Sequence, residues 1–387
     1  MRKSPLIYLD HAATSYPKPP EVVNAVTRAF SARGGNPGRS SHELSRKAAE
    51  GVYECRESVC ELLGFANPER VIFTQNATHA LNIAIKGKIP HGSHTIITNL
   101  EHNSVIRPIH AMAMSDGCSY SVINAMCDDE SLVRNFNRAI QPNTKTAVIT
   151  LASNVCGKIL PTKKLSRICR EKGITFIVDG SQAVGCVPQK IEAIGADILC
   201  TAGHKGLYGP QGTGFLVVSE NIKSISTLIE GGNGVNSEDS KMTDELPERL
   251  EVGTQNTPGI CGLSAGIKYV LNQGIDSIYE SNLTLAKRLS EGLGNIEGVT
   301  VYGDCNNRTP VVLFNIRDIP SDKASRIFDR RHICVRSGLH CAPLAHDALK
   351  TGKYGAVRAS MSFTSTKKDI DEFLKCVNDI SLRRIDE

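Results

Sequence analysis

The chain has 387 residues, more than a single hydrophobic core usually serves, so its length predicts two domains. The net charge of +5 comes without a dense run of lysine and arginine, which argues against binding to nucleic acid or to a lipid surface. No apolar stretch reaches the roughly 18 residues of a membrane span, and the apolar part of the N-terminal segment is too short for a signal peptide, so a cytoplasmic protein is expected.

The cysteines are numerous but follow no binding pattern. All 13 are scattered along the chain, and no two form a C-x-x-C pair. This spacing predicts neither a disulfide framework nor a zinc site, so we expect no metal ligands. Most of these thiols should be small buried apolar groups.

Apolar strand patterns alternate with amphipathic helix patterns between residues 20 and 260. The predicted strands are 70–74, 94–99, 146–153, 174–180, 198–203 and 214–219, and helical patterns such as 42–64 and 162–173 lie between several of them. This alternation is typical of an α/β fold with a mainly parallel sheet covered by helices on both faces. In such a sheet, ligands bind beyond the carboxyl ends of the strands.

The pattern of predicted helices and strands changes after about residue 260. Two long helical patterns, 259–273 and 275–294, come first. Strand patterns then follow at 299–303, 310–316, 333–338 and 356–363, with helical patterns at 321–331 and 366–380. This mixture predicts a smaller α+β domain.

Polar side chains follow the predicted strands. Thr78 opens a helix whose free N–H groups suit a phosphate, although Asn76 and Thr78 could simply cap that helix. His102 follows the next strand and could stack on a flat ring or move protons, or be an ordinary loop histidine. Asn154 follows a third strand, where its amide could bind a phenolic oxygen or merely form a turn.

Two charged residues give stronger support to a ligand site at the strand ends. Asp179 ends an apolar strand, with Gln182 three residues later, and a protonated pyridine nitrogen would balance its carboxylate. Capping of the next helix is the simpler alternative. Lys205 stands in "TAGHKGLYGPQGTGFL", where glycines allow a tight backbone around a bulky ligand. A lysine that forms an imine must be partly desolvated, and the alternative is a surface lysine in a turn.

Together these side chains offer a phosphate turn, a stacking histidine, an amide, an acid for a pyridine nitrogen and an imine lysine. They stand in that order on successive strand ends. The combination predicts a binding site for pyridoxal 5'-phosphate.

The chain resembles a known family, the class V, fold type I aminotransferase-like enzymes. Within that family it resembles the cysteine desulfurases. The motifs that carry the resemblance are "LDHAAT", "TQNATHALN", "LEHNS", "ASNVCGK", "VDGSQA", "TAGHKGLYGPQGTG", "EVGTQNTPGI", "VRSGLHCAPL" and "VRASMSFTSTKKDID". The resemblance implies a large domain, 19–260, with a mainly parallel seven-stranded sheet. It implies a small domain, 1–18 and 261–387, that carries the catalytic cysteine loop, and a homodimer with active sites at the subunit interface.

The resemblance also assigns the cofactor site. It implies that Ala77, Thr78 and His204 bind the cofactor within one subunit, the last two through the phosphate. Gly253 and Thr254 would reach the cofactor phosphate of the neighbouring subunit. The remaining matches are Asn154 and Gln182 near the ring O3′, Asp179 at the pyridine nitrogen, His102 stacked on the ring and Lys205 as the imine lysine.

The cysteine in "RSGLHCAPL" resembles the short R-x-G-x-H-C loop of desulfurases that are close to selenocysteine lyases. The match implies that Cys341 takes the sulfur of L-cysteine as a persulfide while L-alanine is released. Arg358 matches the residue that binds the substrate carboxylate, a task that suits a planar bidentate donor. Asn154 and His42 are the other predicted substrate contacts. The alternatives are an inert buried thiol and an arginine on a strand surface.

The predicted reaction gives Lys205 and His102 proton-transfer roles. Lys205 would remove the α-proton of the substrate, and His102 would move a proton to or from the substrate thiol. Two departures from the family pattern concern the phosphate. Ala202 stands where many relatives carry a hydroxyl, so one phosphate contact is either lost or supplied by Thr201, and His79 stands where an acid is common.

Other functions are compatible with the same residues. The protein could be a selenocysteine lyase acting on L-selenocysteine, a class V aminotransferase that does not use Cys341, or a regulator that only holds pyridoxal phosphate. In a desulfurase, a second thiol on a protein or small molecule must collect the sulfur. Iron–sulfur cluster assembly, tRNA thiolation and selenium delivery are all possible destinations.

Overall fold

The computed structural model describes residues 6–38, 40–235, 238–303 and 307–383. The strands in these ranges are β1 (Ile7–Tyr8), β2 (Val71–Thr74), β3 (His94–Thr98), β4 (Ser119–Ile123), β5 (Thr144–Thr150), β6 (Thr175–Asp179), β7 (Ile198–Ala202), β8 (Gly214–Val218), β9 (Val299–Tyr302), β10 (Val311–Ile316), β11 (Ile333–Cys334), β12 (Arg336–Gly338) and β13 (Ala356–Ser360). The helices are α1 (Pro20–Ala32), α2 (Glu43–Leu63), α3 (Ala77–Lys88), α4 (Asn103–Ser115), α5 (Asp129–Ala139), α6 (Thr162–Lys172), α7 (Ile191–Ile194), α8 (Thr257–Gln273), α9 (Ile275–Gly294), α10 (Ser321–Arg330), α11 (Pro343–Leu349) and α12 (Lys367–Ser381), with a 3₁₀ turn at Pro68–Arg70.

Seven strands form the large sheet, in the order β2-β8-β7-β6-β5-β3-β4. The strands from β7 to β4 in this order are parallel to their neighbours. Strand β8 is antiparallel to both β2 and β7. The α/β fold with a mainly parallel seven-stranded sheet, predicted from the sequence, is confirmed.

Both faces of this sheet are buried, as the continuous apolar strands predict. Within β5, Ala147 and Ile149 belong to one hydrophobic cluster, while Val148 between them belongs to another. Successive side chains of a strand point to opposite faces, so each strand contributes to two cores. The sheet is therefore a rigid platform whose carboxyl edge holds the polar strand ends.

The second sheet lies in the C-terminal part of the chain. Its four antiparallel strands have the order β12-β13-β10-β9, and β1 pairs with β11 beside it. A separate core of aromatic and aliphatic side chains packs there, in which Phe314 contacts both Phe328 and Phe373. This region is the α+β arrangement that the sequence predicts.

Helix α8 packs with the large sheet. Its residues Leu263, Ile267 and Val270 lie in the same cluster as Phe73 and Phe215 of the sheet. The first strongly buried residue of the second core after this helix is Leu285 of α9. The predicted division between residues 260 and 261 stays a prediction.

The segment after β1 connects the two cores. The backbone of Asp10 bridges to Ser360 of β13, and the Ser15 N–H donates to the carbonyl of His204 at 3.0 Å. Among the residues that the structure describes, no helix combines the length and apolarity needed to cross a bilayer.

Candidate active site

A cavity of about 190 Å³ lies at the carboxyl ends of the parallel strands. This is the edge at which ligands bind in sheets of this type. The predicted cofactor residues that line it are Ala77, Thr78, His102, Asn154, Asp179, Gln182, His204 and Lys205. The fold thus brings these eight residues, from five different strand ends, around one space.

The N-terminus of α3 forms one end of the cavity. Asn76 caps this helix, since its side-chain oxygen accepts from the N–H of His79 at 2.9 Å. Thr78 shares a hydrogen bond of 2.7 Å with Ser104. The buried Nδ1 of His204 has no hydrogen-bond partner in the described chain. A helix start beside an unpaired imidazole nitrogen fits a phosphate group, and the capping role of Asn76 holds at the same time.

The hydroxyl of Thr201 does not replace the one missing at Ala202. Ala202 lines the cavity, whereas Thr201 does not, and its buried Oγ1 has no partner among the described residues. Adjacent residues of a strand point to opposite faces, so Thr201 faces away from the site. The prediction that Thr201 supplies this hydroxyl is therefore wrong.

Asp179 and Lys205 supply opposite charges to the lining of the cavity. The Asp179 carboxylate is 5% exposed and accepts from the backbone N–H and hydroxyl of Ser181, at 3.0 and 2.5 Å. Burial lowers the pKa of Lys205 to about 8, although the charge of Asp179 acts in the opposite direction. An appreciable fraction of this amine is therefore neutral near physiological pH, as a lysine nucleophile requires.

His102 begins helix α4 as its N-cap. Its Nδ1 accepts from the backbone N–H of Ser104 at 3.1 Å. Burial lowers the pKa of His102 to about 4, so the ring is neutral and carries its proton on Nε2. This arrangement favours stacking and hydrogen-bond donation over proton uptake at Nε2.

Hydrogen bonds tie the loop of the predicted sulfur acceptor to the cavity. The carbonyl of Cys341 accepts from the N–H of Asn103 at 2.7 Å, directly after His102. The carbonyl of His340 accepts from Nδ2 of Asn154 at 2.8 Å. The Cys341 side chain is exposed, and its sulfur lies 3.6 Å from Nη2 of Arg336. This thiol is accessible to a reactant, unlike a buried structural cysteine.

Arg358 lies on β13 behind this loop and is 1% exposed. Its Nη2 forms an ion pair of 2.8 Å with Asp10, and its Nη1 donates to the carbonyl of Asn154 at 3.0 Å. Its Nε is buried without a hydrogen-bond partner in the described chain. The alternative of a strand-surface arginine is excluded, because a buried guanidinium with an unused donor is instead suited to an anionic ligand.

Three predicted residues do not reach the cavity within one chain. Gly253 and Thr254 line a separate cleft of about 430 Å³, together with Gln75 and His79. His42 is exposed and caps α2 by accepting from the N–H of Ser45 at 3.2 Å. The assignment of these three residues to a binding site stays a prediction.

Two acidic residues near the site were not assigned a role from the sequence. Asp10 lies in the quoted motif "LDHAAT", but its partner Arg358 is 348 positions away. Glu101 precedes His102 and is fully buried, where it accepts from the hydroxyl of Thr98 at 2.6 Å and the N–H of Thr150 at 3.0 Å. Burial raises the pKa of Glu101 to about 8. The only sequence signal was that each of these acids directly precedes a motif histidine, His11 or His102.

Fold and site together define the class of protein as an α/β enzyme that uses pyridoxal phosphate. The sequence pattern of the family Aminotransferase class-V matches residues 7–373. A protein of Methanothermobacter thermautotrophicus that carries the name "Probable cysteine desulfurase" is 34% identical over 375 residues, or 94% of this chain and 92% of the relative. The chain therefore belongs to the class V aminotransferase family.

Solved structures agree with this assignment. The apo structure of the cysteine desulfurase from Thermococcus onnurineus superimposes with a TM-score of 0.90 at 32% identity, over 98% of this chain and 95% of that chain. A C-DES variant with glycine covalently linked to its PLP cofactor matches at a TM-score of 0.85 over 97% of both chains. Its identity of 20% shows the shared fold alone.

Proposed function

We propose that this protein is a cysteine desulfurase that depends on pyridoxal phosphate and moves the sulfur of L-cysteine to Cys341. The observation that carries the proposal is the attachment of the Cys341 loop to the cavity, through Asn103 at 2.7 Å and Asn154 at 2.8 Å. These contacts tie the loop of an exposed thiol to Asn154, which lines the cavity, and to Asn103, which directly follows the lining residue His102. The same cavity is lined by a desolvated lysine, Lys205. A transaminase has no use for such a thiol.

The residues around the cavity fit pyridoxal phosphate. The first turn of α3 and the unpaired Nδ1 of His204 would hold the phosphate, and Asp179 would pair with the pyridine nitrogen. Asn154 and Gln182 each use one N–H in a protein contact, which leaves the second N–H for the ring oxygen. When bound, this cofactor supplies an electron sink for the charge released at Cα of an amino acid.

The side chains of the protein then perform the remaining tasks. Arg358 binds the substrate carboxylate through its unused donor. Lys205, as a neutral amine, takes the proton from Cα of the substrate. The Cys341 thiolate attacks the sulfur of the substrate, so the C–S bond breaks as an S–S bond forms. One L-cysteine and one thiol thus give one L-alanine and one persulfide, and the atoms balance without an external oxidant.

Replacement of the acceptor thiol tests this function. Cys341→Ser should abolish the formation of alanine from L-cysteine, and mass spectrometry of the wild-type protein after mixing should find one added sulfur on Cys341. Cys334→Ser, which removes a half-buried thiol seven residues earlier, is the matched control and should keep wild-type turnover. Wild-type alanine production by Cys341→Ser would rule out the persulfide mechanism.

The state of the cofactor is tested separately. Bound pyridoxal phosphate should give an absorbance band at roughly 420 nm, which Lys205→Ala should lose. The homodimer, a protein or small-molecule thiol as sulfur acceptor, and a cytoplasmic location belong to the same proposal. Exposed apolar side chains on α1, Val23 at 55% and Phe30 at 72%, support a subunit contact on that face.

A further inference from the structure

A chain of buried side chains leads from the Cys341 loop (residues 338–343) into α11 and the turn after it. Nδ1 of His340 lies 3.0 Å from Nε2 of His346, and the two rings are stacked with centroids 5.2 Å apart. Nδ1 of His346 lies 2.8 Å from the hydroxyl of Thr351. Nε2 of His340 lies 3.3 Å from the carbonyl of Arg336. All three side chains are less than 8% exposed.

The hydrogens of this chain have one consistent arrangement. A carbonyl only accepts, so Nε2 of His340 carries a hydrogen and donates to Arg336. Neutral His340 then accepts at Nδ1 from Nε2–H of His346. Neutral His346 in turn accepts at Nδ1 from the hydroxyl of Thr351. The three donors point in one direction, from the turn after α11 toward the loop.

The surroundings keep both imidazoles neutral. Burial lowers the pKa of His340 to about 2 and the pKa of His346 to about 4. The charged groups that face the pair are Arg336 on β12, Arg358 on β13 and Asp347 on α11, and only the last favours a charged ring. A proton added to Nδ1 of His340 would set two N–H groups against each other across 3.0 Å.

The loop needs such support because its backbone is strained. His340 and Cys341 have φ angles of +50° and +57°, a left-handed conformation that side chains other than glycine rarely adopt. Both nitrogens of His340 are used in holding the chain, so this histidine is not a base for the adjacent thiol. Its role is to fix the backbone that carries the thiol.

We propose that His346 and Thr351 are positioning residues that hold the Cys341 loop, through His340, in the conformation from which Cys341 takes sulfur. The inference rests on the proposed function only in naming sulfur transfer as the step that depends on the loop. The same loop is tied to the cavity by Asn154 and Asn103, so a shift of His340 displaces the thiol relative to the bound substrate.

The hydroxyl of Thr351 allows a conservative test on the holoenzyme. Thr351→Val keeps the shape but removes the last donor, and kcat for alanine formation should fall about tenfold or more, while KM for L-cysteine changes less than about twofold. Thr351→Ser restores the donor and should recover most of kcat. Thr144→Val is the matched control, because Thr144 bonds Nδ1 of buried His94 at the same 2.8 Å, far from the cavity, and should leave kcat unchanged.

Hydrogen exchange provides a readout that does not need catalysis. In the wild-type protein, the amides of Ala342 and Asn103 should be protected, since they donate to Leu339 and to Cys341. Thr351→Val should make both exchange several-fold faster, and Thr351→Ser should not. Rapid exchange of these amides in the wild-type protein, or equal kcat and exchange in the Val and Ser variants, would overturn the proposal.

A second variant, which interrupts the same hydrogen bonds at His346, keeps the test decisive if Thr351→Val does not fold. His346→Phe keeps a planar ring without a donor and should lower kcat and protection in the same way. A wild-type protein that makes no alanine would refute the desulfurase function, whereas its amide protection would still decide whether the loop is held.

Discussion

Asp10 and Arg358 show at the residue scale how the substrate end of the site is held. The pair is close, at 2.8 Å, and almost completely buried on the arginine side, while Asp10 keeps 21% of its side chain exposed. Loss of one partner leaves a buried charge without compensation, which costs more than the pair itself contributes. A substrate carboxylate bound to Arg358 would supply a replacement anion.

We therefore expect Asp10→Asn to lower the free energy of unfolding by roughly 2 kcal/mol, somewhat less than for a fully buried pair. L-Alanine, which carries the same carboxylate, should restore stability more in this variant than in the wild type. Urea unfolding with and without L-alanine measures both effects. Asp371→Asn breaks the exposed pair with Arg288 and should cost at most about 0.5 kcal/mol. An equally small loss for Asp10→Asn would contradict the role of the pair.

At the scale of elements, helix α3 has two tasks at its N-terminus. Asn76 caps the helix, and the first turn faces the cavity. We expect Asn76→Ala to cost about 1 kcal/mol of stability and also to weaken the binding of pyridoxal phosphate several-fold. Asp128→Ala removes the equivalent cap of α5, outside the cavity, and should cost similar stability without affecting the cofactor. Titration of both apo variants with pyridoxal phosphate, followed by absorbance, measures this affinity. An equal loss of affinity in the two variants would refute the prediction.

The elements also show which features the sequence could predict. The buried strands of the large sheet gave continuous apolar runs, and their predicted bounds agree with the structure to within three residues. Strand β4, "SYSVI", was not recognised, because it lies at the sheet edge and only Ile123 is buried. An edge strand with one wet face carries a weak apolar signal.

The site was predictable to the extent that its chemistry lies at strand ends. Lys205, Asp179 and His102 each lie at or just after the end of a strand of the parallel sheet, so a shared edge could be inferred. The contacts of Arg358 with Asp10 and of His340 with His346 could not be read from spacing. The first contact joins the segment after β1 to β13 across 348 positions, and the second depends on the left-handed turn at His340 and Cys341. Neither arrangement is visible in the local sequence.

At the scale of the whole molecule, buried neutral histidines determine the response to acid. Burial lowers the pKa of five of them, His11, His102, His204, His340 and His346, to about 4 or below. Between these values and about 6.5 the unfolded chain binds protons that the folded chain does not, so stability falls as the pH drops through this window. The pKa of Glu101 is raised to about 8, so its contribution to the stability of the protein falls as the pH rises from 4.5 to 8. This contribution opposes the trend of the histidines.

The apoprotein should therefore be more stable near neutral pH than in weak acid. Lowering the pH from 6.5 to 5 should reduce the free energy of unfolding by up to about 1.4 kcal/mol per pH unit for each of the five histidines, less the opposing contribution of Glu101. Urea denaturation at several pH values measures the slope. A free energy that is constant from pH 7 to 5 would show that these rings titrate normally.

The start of the chain completes contacts with its last quarter. The strands of the large sheet all lie between residues 71 and 218, so that sheet can assemble while the ribosome is still adding later residues. Strand β1, however, must wait for Ile333–Cys334, and Asp10 must wait for Arg358. Closing so long a loop is slow, and the site is therefore completed only after Arg358 has been synthesised.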